Sequence, residues 1–551
     1  MKKFNKLLSV ALAFCMAATT LTACGKGAAP TPSGSGSTSS NTPASVPVGE
    51  RPKITMFLGD SGIPAPSGVD VSDNKFIKIV EDLAGADLEI TQPAYADFQQ
   101  QFNLLMSSGK LPDIVHSYFV DDTIKYAEEG AFIDLRPYYD KSPIMQAVVS
   151  KEAMELTKSK ASGKNFRIPQ ATIGLKYGYG NWIRLDLLKE YNGGEFPKDV
   201  PGYLDFLYWV KKTYPESIPL AARSSDTKLF LYGEMFFKWY GAMPQSYNVV
   251  DGKVVSTFTL PEYRAAVELY RKLYADGILD KEFATTDASV YGSKMSEDNV
   301  AMSTDLPLSL QTANANSATN KKPNMYVYTP ELETYPSEVK DPIYTKAFRQ
   351  PPAGIHGFYI SSTCKNPDLA WKVLEAFASE QLREAVTWGE EGVEHTVVNG
   401  KKVANAEALA LDTHRFGLHL MVIPGFGCLS ESQDSIAEQK MGEENYKLTM
   451  ESNARVAKET EERGFAMIDV FRYTGGLVPE PPMVKEKKAE FDKFTAEATA
   501  NAVSGQISMA EFDKKVDEYK TRYAFVDEEW TKALNENKDF LLSVGCTEAG
   551  R

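Results

Sequence analysis

Between residues 53 and 115 the apolar residues switch repeatedly between a period of two and a period of 3.6, and this restricts the fold more than any other feature. Lys53-Ile-Thr-Met-Phe57 alternates as a strand, and Phe76, Ile79, Val80 and Leu83 then fall at helical spacing before Gly85. Leu88 and Ile90 alternate again. Phe98, Phe102, Leu105 and Met106 lie at i, i+4, i+7 and i+8, one stripe of a helix, with Gln99, Gln100 and Asn103 pointing elsewhere. Ser107-Ser108-Gly109 ends that helix, because Gly enters the left-handed conformation cheaply, and Pro112 blocks its resumption. Ile114-Val115 reads as a buried strand. The order β-α-β-α-β predicts an α/β protein with a largely parallel, doubly wound sheet, whose ligands sit at the carboxyl ends of strands. The loops Asp60–Ser61 and His116–Phe119 are therefore candidate ligand loops, with plain solvated connections as the competing reading.

The first residues speak of compartment rather than fold. Lys2, Lys3 and Lys6 form a basic region, Leu7 to Ala18 is a short apolar run, and Leu21-Thr22-Ala23-Cys24-Gly25 follows as a lipobox. Residues 1–23 are expected to be a lipoprotein signal peptide, with Cys24 as the acylated mature N-terminus. Each buried CH₂ of an acyl chain contributes about 0.8 kcal/mol, and two chains anchor stably. The expected place is the extracellular face of the cell membrane, held to the bilayer by lipid. Residues 24–50 are rich in Gly, Ala, Pro, Ser and Thr and bury nothing, so they read as a flexible tether.

The chain has 551 residues, enough for more than one domain, and 43% of them are hydrophobic, enough for large cores. Its net charge of −14 argues against nucleic acid, whose phosphates need a basic face. No second apolar run is long enough to span a membrane. Of the five cysteines, Cys15 falls in the signal and Cys24 at the lipid site. Cys364, Cys428 and Cys546 are odd in number and widely spaced, which favours buried thiols and leaves room for one disulfide.

The segment Phe102-Asn-Leu-Leu-Met-Ser-Ser-Gly-Lys-Leu-Pro-Asp-Ile-Val115 resembles the signature of extracellular solute-binding proteins, specifically the LplA-type lipoproteins of polysaccharide-uptake ABC systems. Further patches, in the family's order, extend the resemblance from about residue 51 to about 525. They include Tyr126–Leu135, Ser162-Gly-Lys-Asn-Phe-Arg-Ile-Pro169, Asn181-Trp-Ile-Arg-Leu-Asp-Leu-Leu188, Leu273–Glu282, Ile360–Ser379 and Trp388-Gly-Glu-Glu-Gly-Val-Glu-His395. At Arg167 the chain departs from the usual glycine. Many relatives carry a calcium loop before Ile-Pro-Leu, but Lys211–Leu220 lacks the clustered oxygen ligands, so no metal and no cofactor is carried over.

The resemblance implies a two-lobe fold of the periplasmic-binding-protein type (type II), with mostly parallel sheets flanked by helices and a hinge between lobes. Residues 51–170 with 355–415 are expected in lobe 1 and 171–354 with 416–551 in lobe 2. It also implies capture of an oligosaccharide for the permease subunits of an ABC importer, by a monomer without enzymatic activity. Flat rings match the CH face of a pyranose and polar side chains its hydroxyls. On that ground Tyr118, Trp182, Trp239, Phe358 and Trp388 are candidate platforms, with Tyr240 beside them. Asp60, Asn181, Asp305 and Glu391 are candidate acceptors, and Arg184 and Arg472 candidate donors. Trp182 reads equally well as a core residue. His116, His356 and His395 are scattered and read by default as structural. A surface glycoside hydrolase would need two carboxylates about 5–10 Å apart across the sugar, which 74 acidic residues leave open. A binding protein for a peptide or another small solute is the third reading.

Two stretches are read for structure alone. Residues 311–350, polar and proline-bearing, predict a long surface connection, and Glu268 with Lys272 predicts an i,i+4 ion pair on a helix opened by Pro261.

Overall fold

The computed structural model describes residues 51–60, 67–94, 97–171, 180–225, 228–297, 299–305, 307–319, 325–346, 353–411, 414, 416–425, 430–463, 478–543 and 546–547. Cys24, the tether, Ser61, Cys428 and Arg472 lie outside them.

Six strands come first: β1 (Lys53–Phe57), β2 (Asp87–Thr91), β3 (Ile114–Ser117), β4 (Ile168–Ala171), β5 (Gly180–Arg184) and β6 (Ile218–Leu220). A hairpin follows, β7 (Tyr247–Val250) and β8 (Lys253–Ser256), turned by Asp251-Gly252 at positive φ. Then come β9 (Val300–Asp305), β10 (Tyr326–Tyr328), β11 (Ala353–Ile360) and a second hairpin of β12 (His395–Val398) and β13 (Lys401–Ala404). The long sheets are ordered β2-β1-β3-β11-β4 and β10-β5-β9-β6. Each is covered by helices and has its own core, which gives the two-lobe fold.

The sequence predicts mostly parallel sheets, and here it is corrected: both are mixed. β1 runs parallel to β2 and β3, and β6 to β9. β11 is antiparallel to β3 and β4, and β5 to β9 and β10. The crossing of the chain is the cause. A parallel strand needs a connection that returns to the edge where the sheet began. β4 instead leaves the first sheet at Ala171 for β5 of the second, and β11 re-enters from the edge where β4 left.

Local signals explain the first lobe. Asn74 caps helix Lys75–Ala84 through the Phe76 and Ile77 amides, and Gly85 closes it at φ 71°. Helix Phe98–Ser108 buries Phe98, Phe102 and Met106 and ends on Gly109 at φ 64°. Ile168, Phe358, Ile360 and helix Pro367–Phe377 share the larger first-lobe core with Phe76, Ile77 and Val80. Phe416 and Leu420–Ile423 pack into that core too, beyond the boundary expected after residue 415, and the Ile423 carbonyl accepts from the Ala171 amide at 2.8 Å.

In the second lobe, Tyr263, Ala266, Val267, Tyr270 and Leu273 bury one face of helix Pro261–Ala275. Helices Pro482–Val503 and Met509–Arg522 pack on it; Tyr263 bonds Thr499 at 2.9 Å and Arg264 bonds Asp513 at 2.7 Å. Ser508 and Glu511 form the expected capping box. Lys272 pairs with Asp276 at 2.6 Å rather than with Glu268, whose partner is Arg264 at 3.0 Å. Residues 311–350 are not a bare connection. They include the end of helix Pro307–Thr319 and all of β10. That helix buries Ala313, Asn314, Ala315 and Ser317, small residues that leave no apolar period to read. Cys364 is a half-buried free thiol, and Cys546 is buried in the second-lobe core. No helix among the described residues is long and apolar enough to cross a membrane.

Candidate functional site

The edges from which the chain crosses between the sheets gather the polar and aromatic groups. In the first sheet these are the ends of β1 and β3 and the beginning of β11. In the second they are Gly180 and Asn181 at the start of β5, Asp305 opposite Gly180, and Thr329 after β10, whose amide donates to the Asn181 carbonyl at 2.8 Å.

On the first edge, Gly59 N–H donates to His116 Nδ1 at 3.1 Å, and His116 Nε2 lies 3.1 Å from His356 Nδ1. A backbone amide can only donate, so His116 Nδ1 carries no proton. The proton of this neutral ring is on Nε2 and is given to His356 Nδ1, which leaves the second ring's proton on its Nε2. Burial pushes the His116 pKa well below the ordinary histidine value. Burial and then the Arg167 guanidinium push that of His356 down to about 4. Tyr118 stacks on Phe98, centroids 4.5 Å apart, and touches His356 at 5.3 Å. Asp60 is buried beside Gly59.

The second edge holds a pocket lined by Asn181, Lys238, Trp239, Glu331, Tyr335 and Glu459, among others. Asn181 is 4% exposed, and its side-chain carbonyl oxygen is buried with no hydrogen-bond partner. Trp239 packs on Tyr203 at 4.5 Å and on Phe236 at 5.5 Å, so one part of its ring belongs to the core and another to the pocket wall. Glu331 is paired with Lys346 at 3.3 Å. Burial, and then the neighbouring Glu331, raise the Glu459 pKa. One helical turn before Lys238, Glu234 is 1% exposed; burial pushes its carboxyl up to about 8, and Oε2 has no partner.

Of the other sequence-derived candidates, Asp305 stands at the second edge opposite Gly180, and the rest are not gathered here. Trp182 is 1% exposed, edge-on to Tyr326 at 4.5 Å, and belongs to the core. Phe358 is fully buried between His116 and Phe377. Arg184 is tied to Asp186 through Nε at 3.1 Å. Trp388 is buried and donates to Glu431 at 3.1 Å, while Glu391 is exposed on the loop after it. Asp305 is buried, its carbonyl accepting from Tyr328 at 3.1 Å, and Tyr240 is partly buried at the end of helix Met235–Trp239. Sequence reasoning missed the His116–His356 pair, Lys238, Tyr335, Glu234, Glu331 and Glu459. His395 and His414 bond the Trp388 and Val386 carbonyls, at 3.0 and 2.7 Å, in structural roles. Among the described residues no group of three or more His, Cys, Asp or Glu side chains is placed to hold a metal ion.

Rings flanked by buried acceptors and a lysine suit a polyhydroxylated molecule: a ring covers CH groups while polar atoms exchange hydrogen bonds with hydroxyls. Known proteins agree in fold. The chain is 29% identical over 232 residues to lipoprotein LipO of Bacillus subtilis (strain 168), covering 39% of this chain and 43% of that one. It is 23% identical over 303 residues to a carbohydrate ABC transporter substrate-binding protein of Streptococcus pneumoniae serotype 4 (strain ATCC BAA-334 / TIGR4), covering 52% of this chain and 55% of that one. The matches thus span about half the length of these relatives. Among solved structures, the HMO-binding ABC-transporter-associated solute-binding protein of Bifidobacterium longum infantis ATCC 15697 has the same fold. It superposes with a TM-score of 0.66 at 18% identity, over 88% of this chain and 99% of that one. The profile of the family described as bacterial extracellular solute-binding protein matches residues 75–410, from before β2 to beyond β13 and through both sheets. The chain therefore belongs to the bacterial extracellular solute-binding protein family.

Proposed function

We propose that this protein captures an oligosaccharide between its lobes and delivers it, unaltered, to the permease subunits of an ABC importer. The observation that carries the reading is the second-lobe pocket, where the unpartnered Asn181 oxygen lies with Lys238 and the Trp239 and Tyr335 rings. That oxygen needs a donor, and a sugar hydroxyl supplies one while its CH face meets a ring. The carbohydrate named in the pneumococcal relative's description supports the ligand class. The lobes in this reading are those expected from the sequence, 51–170 with 355–415 and 171–354 with 416–551, except that Phe416 and Leu420–Ile423 go with the first lobe, in whose core they pack. Ligand binding closes the lobes about their hinge, as in the periplasmic binding proteins that the general repertoire of domain closure includes.

A thermal-shift screen tests the ligand class. The panel is malto-, xylo-, fructo- and galacto-oligosaccharides, oligogalacturonides and mixed peptides. A ligand at a hundred times its Kd stabilises the folded state by about 2.7 kcal/mol, so one sugar class should raise the Tm. A shift with peptides alone contradicts the reading, and shortened sugars after incubation move the protein to the hydrolases.

The same reading has the protein act as a monomer tethered outside the membrane through acylated Cys24, supported by the lipobox at Leu21–Gly25. Cys24→Ala should be released to the medium or remain unprocessed. A variant still cleaved after residue 23 and still membrane-bound contradicts the anchor.

A further inference from the structure

β11 does not run evenly along its neighbour. Ala353 pairs with Ala171 and Gly357 with Pro169, so three residues of β11 lie between pairings that only one residue separates on β4. The bulge is Gly354-Ile355-His356. Such bulges re-aim side chains at the rims of sheets. Gly357 is required by close approach, since a Cβ there would lie 2.9 Å from Arg167 Cδ and 3.0 Å from the Ile168 carbonyl oxygen, while one on Gly354 would displace the Gln170 side chain. Arg167 holds the bulge from below, Nη1 donating to the Ile355 carbonyl at 2.9 Å. This is the position at which the sequence departs from the glycine of the motif it resembles, so the bulge is built by this chain's own residues.

The bulge sets His356 across the strand pair from Tyr118, at the end of the relay Gly59 N–H, His116, His356. The relay leaves the His356 proton on Nε2, and no protein group among the described residues accepts it. Ile355 beside it is 37% exposed.

We infer that His356 is the first lobe's ligand-binding donor: its Nε2–H, fixed by the relay, bonds an ether or hydroxyl oxygen of a sugar ring lying against Tyr118 and Ile355. The assignment rests on the oligosaccharide reading and names the residue that the first lobe contributes. The neutral state suits the role, since a proton added to His356 Nδ1 would meet the His116 Nε2–H, and one added to His116 Nδ1 would meet the Gly59 N–H, and either breaks the relay. Arg167, with Asp121 beyond it, is the charge that faces the pair, and the cation opposes protonation.

Two measurements test it. Long-range ¹H–¹⁵N spectra of the free protein at pH 7 should show both rings neutral with the proton on Nε2, and the sugar that is positive in the screen should shift His356 Nε2. Calorimetry with that sugar should show His356→Ala binding at least tenfold more weakly at unchanged Tm, with His356→Gln, which keeps an N–H donor, in between. If His356→Ala lowers the Tm, His356→Gln and the spectra decide. A proton on His356 Nδ1, or substitution that leaves the Kd within twofold, overturns the assignment while the oligosaccharide reading stands. A chain that no sugar stabilises overturns both.

Discussion

Trp182→Ala should cost about 3–5 kcal/mol of stability whether or not ligand is present. The residue sits on β5, with β10 on one side and β9 on the other, and is 1% exposed. Its ring meets the edge of Tyr326 in a core shared with Ala221, Tyr291, Met295 and Val300. Truncation leaves a cavity that two flanking strands prevent from collapsing. Trp182→Phe should cost less than half as much, because the indole Nε1–H is buried without a partner and phenylalanine removes that orphan donor. Urea unfolding of the three proteins measures this. Unchanged stability with weakened sugar binding would return Trp182 to the ligand wall.

Glu234→Gln should stabilise the protein increasingly as pH rises. The carboxyl is fully buried, and burial pushes its pKa up from 4.5 to about 8. Between those values the folded state holds a proton that the unfolded state has released. Stability therefore falls with rising pH across that window, by up to about 1.4 kcal/mol for each pH unit. Glutamine has no charge to bury, so the Tm difference between variant and wild type should widen from pH 5 to pH 8. Asp527, with its pKa near 6, and the two histidines, which in this range titrate in the unfolded chain, also make stability depend on pH, but they are common to both proteins and cancel in the difference. A difference independent of pH would show that Glu234 is already ionised in the fold.

The parts of this structure legible in the sequence are those whose signals are local. The stripe Phe98, Phe102, Met106, the Gly85 and Gly109 stops and the Ser508–Glu511 box all depend on neighbours within a turn or two. Sheet direction was not legible, because it depends on where the chain crosses between lobes. Nor was helix Pro307–Thr319, which packs through small residues against helix Ser430–Met441. In β5 the residues from Gly180 to Ile183 are buried on both faces, so alternation cannot tell that Asn181 lines the pocket and Trp182 the core. His116 and His356 are 240 residues apart, a separation that carries no spacing signal. The glycines on either side of Ile355-His356 were the one local hint, since paired glycines within a strand mark bulges.

Small-angle scattering tests the central claim, that two lobes close on an oligosaccharide. With the stabilising sugar at saturation the radius of gyration should fall and the free curve should return after dialysis. An unchanged radius with sugar bound would contradict closure and make the site a rigid surface.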